Sequence, residues 1–119
     1  MFELIIEDYI SCAHQLLNYN GPCENLHGHN WKIQIVVSGK DLDKSGLLID
    51  FKDLKKILNE ELLKYDHKFL NDAIKENPTS ENFAKLLYEN LKKKMPNNVK
   101  LTKVYIWESN DAGVSYSEE

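Results

Sequence analysis

The fold class that this sequence predicts is α+β: an antiparallel sheet with two helices packed on one face. Three observations lead there: two long strand-like segments at the start, two amphipathic helical segments in the middle and a β-rich run near the end. The expected order is β-β-α-α-β-β. With 119 residues, 42% of them hydrophobic, the chain has material for one ordinary core, and 1–119 reads as a single domain.

Residues 2–12 alternate apolar and polar imperfectly, but Ile5, Ile6, Tyr9 and Ile10 are β-rich, and the segment reads as a strand. A loop with Asn18, Asn20, Gly21 and Pro22 follows. Residues 27–38 alternate more clearly, with His27, His29, Trp31, Ile33, Ile35 and Val37 on one face of a second strand. A turn-rich connection runs from Gly39 to Gly46. From Phe51 to Tyr65 the positions Phe51, Leu54, Leu58, Leu62 and Tyr65 recur every three or four residues, which predicts a helix with Asp50 as its N-cap. A second helix starts after Pro78, capped by Thr79 or Ser80, and runs through Phe83, Leu86, Leu87 and Leu91. Lys92, Lys93 and Lys94 suit its negative end, and Pro96 stops it. Val99 to Trp107 is a third strand, and Gly113 to Tyr116 a short closing one.

The 15 basic residues are outnumbered by 19 acidic ones, for a net charge of −4, and they are lysines scattered over helical surfaces. Phosphate-backbone attraction has no footprint in that pattern, so no nucleic-acid partner is expected. Glu3, Glu7 and Asp8 occupy positions a signal peptide needs apolar, and no run approaches the roughly 20 apolar residues of a membrane span. With only Cys12 and Cys23 present, the expectation is a cytoplasmic protein with free thiols and no membrane association. Cys12 reads as a small buried apolar residue.

His27 and His29 lie two apart on a strand, so both imidazoles can reach one ion, and His14 can add a third nitrogen if the first two strands pair. Three imidazoles without a fourth protein ligand describe an open, catalytic type of zinc site. The pair alone also fits two surface histidines. Cys23, four residues before His27, has three readings: a fourth ligand closing a structural site, a reactive thiolate, or an inert thiol. Asp66 beside His67 can orient a proton-transfer group, although such adjacency also arises by chance. Glu108, at the end of an apolar strand, is either a rim carboxylate or a partly buried anchor for a ligand's N–H donors. Thr79, Ser80 and Glu81 are most simply a helix cap.

Together these fragments form a specific pattern: Ser11-Cys12-Ala13-His14, Cys23-x3-His27-Gly28-His29, Leu48-Ile49-Asp50-Phe51, Tyr65-Asp66-His67-Lys68-Phe69-Leu70-Asn71, Pro78-Thr79-Ser80-Glu81-Asn82 and Trp107-Glu108. In that order they resemble the 6-pyruvoyltetrahydropterin synthase family from end to end. The three-residue gap between Cys23 and His27 resembles the 6-carboxytetrahydropterin synthases of the queuosine pathway. The resemblance implies the tunnelling fold (T-fold) and a homo-oligomer, a trimer or hexamer with active sites between subunits. It also implies a lyase that converts 7,8-dihydroneopterin triphosphate to 6-carboxy-5,6,7,8-tetrahydropterin, acetaldehyde and triphosphate.

Carried over by residue, the resemblance makes His14, His27 and His29 the ligands of Zn2+. Cys23 becomes the general base, with Asp66 and His67 its proton-transfer partners. Glu108 grips the pterin, assisted by Thr79 and Ser80, with Glu81 a further contributor. The sequence departs from many relatives at Asn20-Gly21-Pro22, where a basic residue would meet the triphosphate; Lys68 is a substitute candidate. Other readings are a 6-pyruvoyl product, side-chain cleavage for folate synthesis with Glu24 in the thiol's role, and a non-catalytic zinc or pterin-binding module.

Overall fold

The structure is a computed structural model, and it describes residues 1–17 and 27–118, with His27 and His29 described through their backbone. The elements are β1 (Phe2–His14), β2 (His27–Gly39), α1 (Phe51–Leu62), α2 (Leu70–Ala73), α3 (Ser80–Lys92), β3 (Lys100–Trp107) and β4 (Gly113–Tyr116). The four strands form one antiparallel sheet in the order β1-β2-β3-β4, as the alternation of residues 27–38 and the β-rich ends of the chain predict. The expected pair of helices gains a third: α2 has only four residues, too few to show a period.

Ile6, Ile10, Cys12 and His14 of β1 are buried, as are Trp31, Ile33, Ile35 and Val37 of β2. The register brings them together, pairing Ile6 with Ile35 and Ile10 with Trp31. β3 changes phase: its core residues Leu101, Val104 and Ile106 do not share one parity. A register shift between Val36 and Val37, which pair with Lys103 and Leu101, leaves Thr102 as an extra residue. This bulge lets both halves of β3 face the core.

Against this face α1 buries Leu54, Leu58 and Leu62, and α3 buries Phe83, Ala84, Leu87, Tyr88 and Leu91. Asp50 accepts the Lys52 N–H at 2.8 Å, and Thr79 accepts that of Asn82 at 3.1 Å, so each helix has the side-chain cap expected for it. Between α1 and α3 sits Glu61, wholly buried, whose carboxylate accepts from Tyr65 Oη at 2.8 Å, Asn90 Nδ2 at 2.9 Å, Lys64 Nζ at 2.9 Å and Lys94 Nζ at 3.1 Å. Burial alone would push its carboxyl up; the four hydrogen bonds outweigh that and hold it down at about 2.

The outer face of the sheet is less well covered. Ile5 and Tyr9 of β1 are 59% and 62% exposed. β3 begins its pairing with β2 at Lys32, so residues 27–31 extend beyond it.

Candidate functional site

His14, the last residue of β1, is 1% exposed. Its Nδ1 lies 2.7 Å from the carbonyl oxygen of Pro78, just ahead of α3. A carbonyl oxygen can only accept, so Nδ1 carries the proton and Nε2 carries the lone pair, the tautomer that a ligand binding through Nε2 needs. The ring is braced as well as oriented. It meets Trp31 edge-on at 5.1 Å between centroids, Trp31 meets Phe83 at 5.3 Å, and Phe83 meets Tyr65 at 5.0 Å.

The β1–β2 ladder pairs His14 with His27 and Cys12 with His29, so the backbones of the three sequence-predicted metal ligands lie at one end of one ladder. Cys23 lies outside the described residues, as do Glu24 and the side chains of His27 and His29. His14 fits the nitrogen-donor set of a zinc ion, being buried and held in the right tautomer by an outer hydrogen bond. Cys12 is buried, as its sequence reading expects, and forms no disulfide among the described residues.

The same turn before α3 leads to Glu108. Thr79 spends its hydroxyl on capping the helix, while Ser80 Oγ donates to Glu108 Oε1. Glu108 follows β3, and its N–H donates to the Ala112 carbonyl at 3.1 Å, which closes the turn into β4. One carboxylate oxygen is thus oriented by Ser80, and the side chain remains partly exposed. Glu81 is exposed on the first turn of α3. His14, Pro78, Ser80 and Glu108 form a connected arc around the start of α3.

Asp66 and His67 are attached elsewhere, along the edge of β1. Asp66 Oδ1 accepts the Ser11 N–H at 2.9 Å and lies 3.1 Å from His67 Nδ1, so the carboxylate is fixed by the strand and in turn orients the imidazole. The His67 N–H donates to the Ser11 carbonyl, and the Ala13 N–H donates to the Lys68 carbonyl at 3.1 Å. His67 adopts a left-handed backbone, φ 59°, which is costly for a residue with a Cβ. Its side chain is 80% exposed and borders an open groove of about 530 Å³ shared with Ser11, Ala13, Gly28, Asn30 and Lys68. Ser11, Ala13, Gly28 and Asn30 have the parity opposite to the buried His14 and Trp31, which turns most of the groove to the outer side of the sheet, and Cys12 lines it as well.

The Pro78 carbonyl is the participant that sequence reasoning did not single out. A backbone oxygen has no residue-type signature, although Pro78 stood inside a quoted motif.

Comparison with known proteins agrees with this fold. Residues 3–119 match the model of the family described as 6-pyruvoyl tetrahydropterin synthase. The dihydroneopterin monophosphate aldolase of Pyrococcus furiosus is 41% identical over 91 residues, covering 76% of this chain and 77% of its own. The 6-carboxy-5,6,7,8-tetrahydropterin synthase of Haemophilus influenzae is 31% identical, covering 99% of this chain and 100% of its own. Among solved structures, 6-pyruvoyl tetrahydropterin synthase of Caenorhabditis elegans superposes with a TM-score of 0.88 at 29% identity, covering 99% of this chain and 96% of that one. With its four-stranded sheet, its helices on one face and a family match over nearly its whole length, this chain belongs to the 6-pyruvoyl tetrahydropterin synthase family and has its T-fold.

Proposed function

We propose that this chain is a zinc-dependent 6-carboxy-5,6,7,8-tetrahydropterin synthase of 7-deazapurine (queuosine) synthesis, acting on 7,8-dihydroneopterin triphosphate. The observation that carries the reading is the arc from His14 to Glu108, which joins a buried imidazole in ligand tautomer to an oriented carboxylate through one helix start. The spacing Cys23-x3-His27 and the Haemophilus relative support the carboxy product.

In this mechanism Glu108 accepts N–H bonds from the pterin ring, with Ser80 holding one of its oxygens in place. His14, His27 and His29 would hold Zn2+, which when bound would supply Lewis-acid chemistry to the substrate's side chain. Cys23 removes a side-chain proton. His67 transfers protons at Nε2 while Asp66 lies against Nδ1. Dihydroneopterin triphosphate and one water together supply the atoms of the three products: 6-carboxytetrahydropterin, acetaldehyde and triphosphate.

His67 opens on the outer side of the sheet, whereas His14 lies on the core side. This separation supports a site completed by a neighbouring copy within a trimer or hexamer. The exposed Ile5 and Tyr9 on the outer face give such an assembly apolar surface to cover.

The deciding experiment is anaerobic incubation of zinc-loaded protein with 7,8-dihydroneopterin triphosphate, with mass analysis of the pterin and trapping of acetaldehyde. A 6-carboxy product with acetaldehyde is expected. A 6-pyruvoyl product without acetaldehyde overturns the product assignment. Binding without turnover overturns catalysis and leaves a binding module.

A second reading has its own support. The Pyrococcus relative is named for a monophosphate substrate, and Asn20-Gly21-Pro22 offers no cation for a triphosphate. Cleavage of dihydroneopterin monophosphate at a higher kcat/KM than the triphosphate would make this chain an aldolase of that kind.

A further inference from the structure

The hydrogen bond between His14 and Pro78 joins two stretches of chain 64 residues apart, the end of β1 and the turn that opens α3. A backbone carbonyl does not swing by itself. Because the peptide is planar and trans, the Pro78 C=O and the Thr79 N–H point in opposite directions from one rigid unit. The Thr79 N–H donates to the Asn77 carbonyl at 2.8 Å, a bond from residue 79 back to residue 77 that makes a γ-turn centred on Pro78. Where the Asn77 carbonyl stands therefore decides where the Pro78 carbonyl aims.

Two asparagine side chains hold that acceptor. Asn82 Nδ2, in the first turn of α3, donates to the Asn77 carbonyl at 2.8 Å, so the same oxygen accepts twice. The Asn82 backbone N–H donates to the Thr79 cap at 3.1 Å, so backbone and side chain of Asn82 serve different acceptors. Asn77 works in the other direction. Its Oδ1 accepts the Leu17 N–H at 2.6 Å and its Nδ2 donates to the Leu17 carbonyl at 2.7 Å, pairing one carboxamide with the peptide groups of one residue. Leu17 lies three residues beyond His14, so Asn77 ties the stretch that carries the imidazole to the turn that carries its acceptor. Pro78 itself is buried, and its ring confines φ to about −65°, which leaves the turn little freedom of its own.

We propose that Asn77 and Asn82 are positioning residues for His14: acting through the Pro78 carbonyl, they set the direction in which the imidazole presents its Nε2 lone pair. The inference rests on the metal-ligand role given to His14 above. The bonds of the two carboxamides are exposed or part-buried, and Thr79 caps α3 without them, so the fold survives their loss. Direction suffers more, since losing the outer partner of a ligating histidine typically costs about 10- to 100-fold in metal affinity.

The test uses the full-length protein carrying Asn77→Ala, Asn82→Ala or both, with Glu61→Gln as a variant that weakens the packing of α1 on α3 and bonds to no residue of the turn. Three quantities are read: zinc affinity by competition with a chromophoric chelator, the urea midpoint, and the ratio of His14 tautomers from imidazole nitrogen shifts in zinc-free protein at mildly alkaline pH. The double variant is expected to bind zinc about 10- to 100-fold more weakly and to shift the tautomer ratio about 3- to 10-fold towards Nε2-protonated imidazole. Glu61→Gln should lower the urea midpoint and move neither of the other two. A wild-type zinc affinity or tautomer ratio in the double variant overturns the proposal, as does an equal change in Glu61→Gln. If His14→Ala keeps stoichiometric zinc, the ligand role fails instead, and the tautomer ratio alone still decides whether the two asparagines orient the ring.

Discussion

The arc around α3 and the turn at His67 are two solutions to holding a histidine. His14 is buried, relaxed in backbone, bonded at Nδ1 and braced by a row of aromatic rings. His67 is exposed and left-handed, and a single carboxylate oxygen orients it. A metal ligand must present one lone pair in one direction, and packing does that at no cost in reactivity. A proton carrier must meet solvent and substrate in both protonation states, and burial would favour the neutral one. The burial of the first and the exposure of the second suit the roles proposed for them.

Substitutions that break the comparison should separate the two sites cleanly. The largest effect is expected at His14: His14→Ala removes a proposed ligand outright and should abolish stoichiometric zinc binding, well beyond the roughly 10- to 100-fold typical of losing an outer-shell partner. Zinc titration against a chromophoric chelator reads it, and retained stoichiometric zinc would remove His14 from the donor set. Next comes His67→Gly, expected to lower kcat by about 100- to 10,000-fold. Its stability, followed by urea titration, should stay within about 1 kcal/mol, because glycine relieves the left-handed backbone while freeing the unfolded chain. A large stability loss would mean that the turn is structural.

Glu61 offers a control that bonds to neither histidine and meets the row of rings at Tyr65. Its folded-state carboxyl lies at about 2, below the ordinary value of about 4.3, so its contribution is full above about pH 4.5 and drains away as the pH falls towards 2. Lys64 and Lys94 are 53% and 36% exposed, and water screens them, which reduces that contribution to roughly 1–2 kcal/mol. Glu61→Gln should flatten the acid limb of the stability profile and leave zinc binding unchanged. The smallest effect is expected at Lys68, on the groove beside His67: Lys68→Gln should raise KM for the triphosphate about 3- to 10-fold and leave that for unphosphorylated dihydroneopterin unchanged.

How much of this was legible in the residues depends on the kind of signal. Leu54, Leu58 and Leu62 mark their helix because burial imposes a period, and Asp50 and Thr79 cap theirs because orphan N–H groups demand oxygen. The bulge at Thr102 left no such mark, since a phase slip erases the alternation that would reveal the strand. Asp66 and His67 could be picked out as neighbours, but the left-handed φ that turns His67 outward is imposed by bonds to Ser11, 55 residues away for Asp66. The assembly of Ser80 with Glu108 was suggested by family resemblance and not by spacing. The roles of Cys23, His27 and His29 still rest on sequence.

The row of rings from Tyr65 through Phe83 and Trp31 to His14 makes the interior of the domain the mounting of the proposed metal site. A change deep in the core, such as Phe83→Leu, would then register first as altered ion selectivity. Trp31 would settle differently, His14 would turn with it, and the site would lose its geometric preference among ions while the fold remained intact. Metal content would serve, in this chain, as a gauge of how well its core is packed.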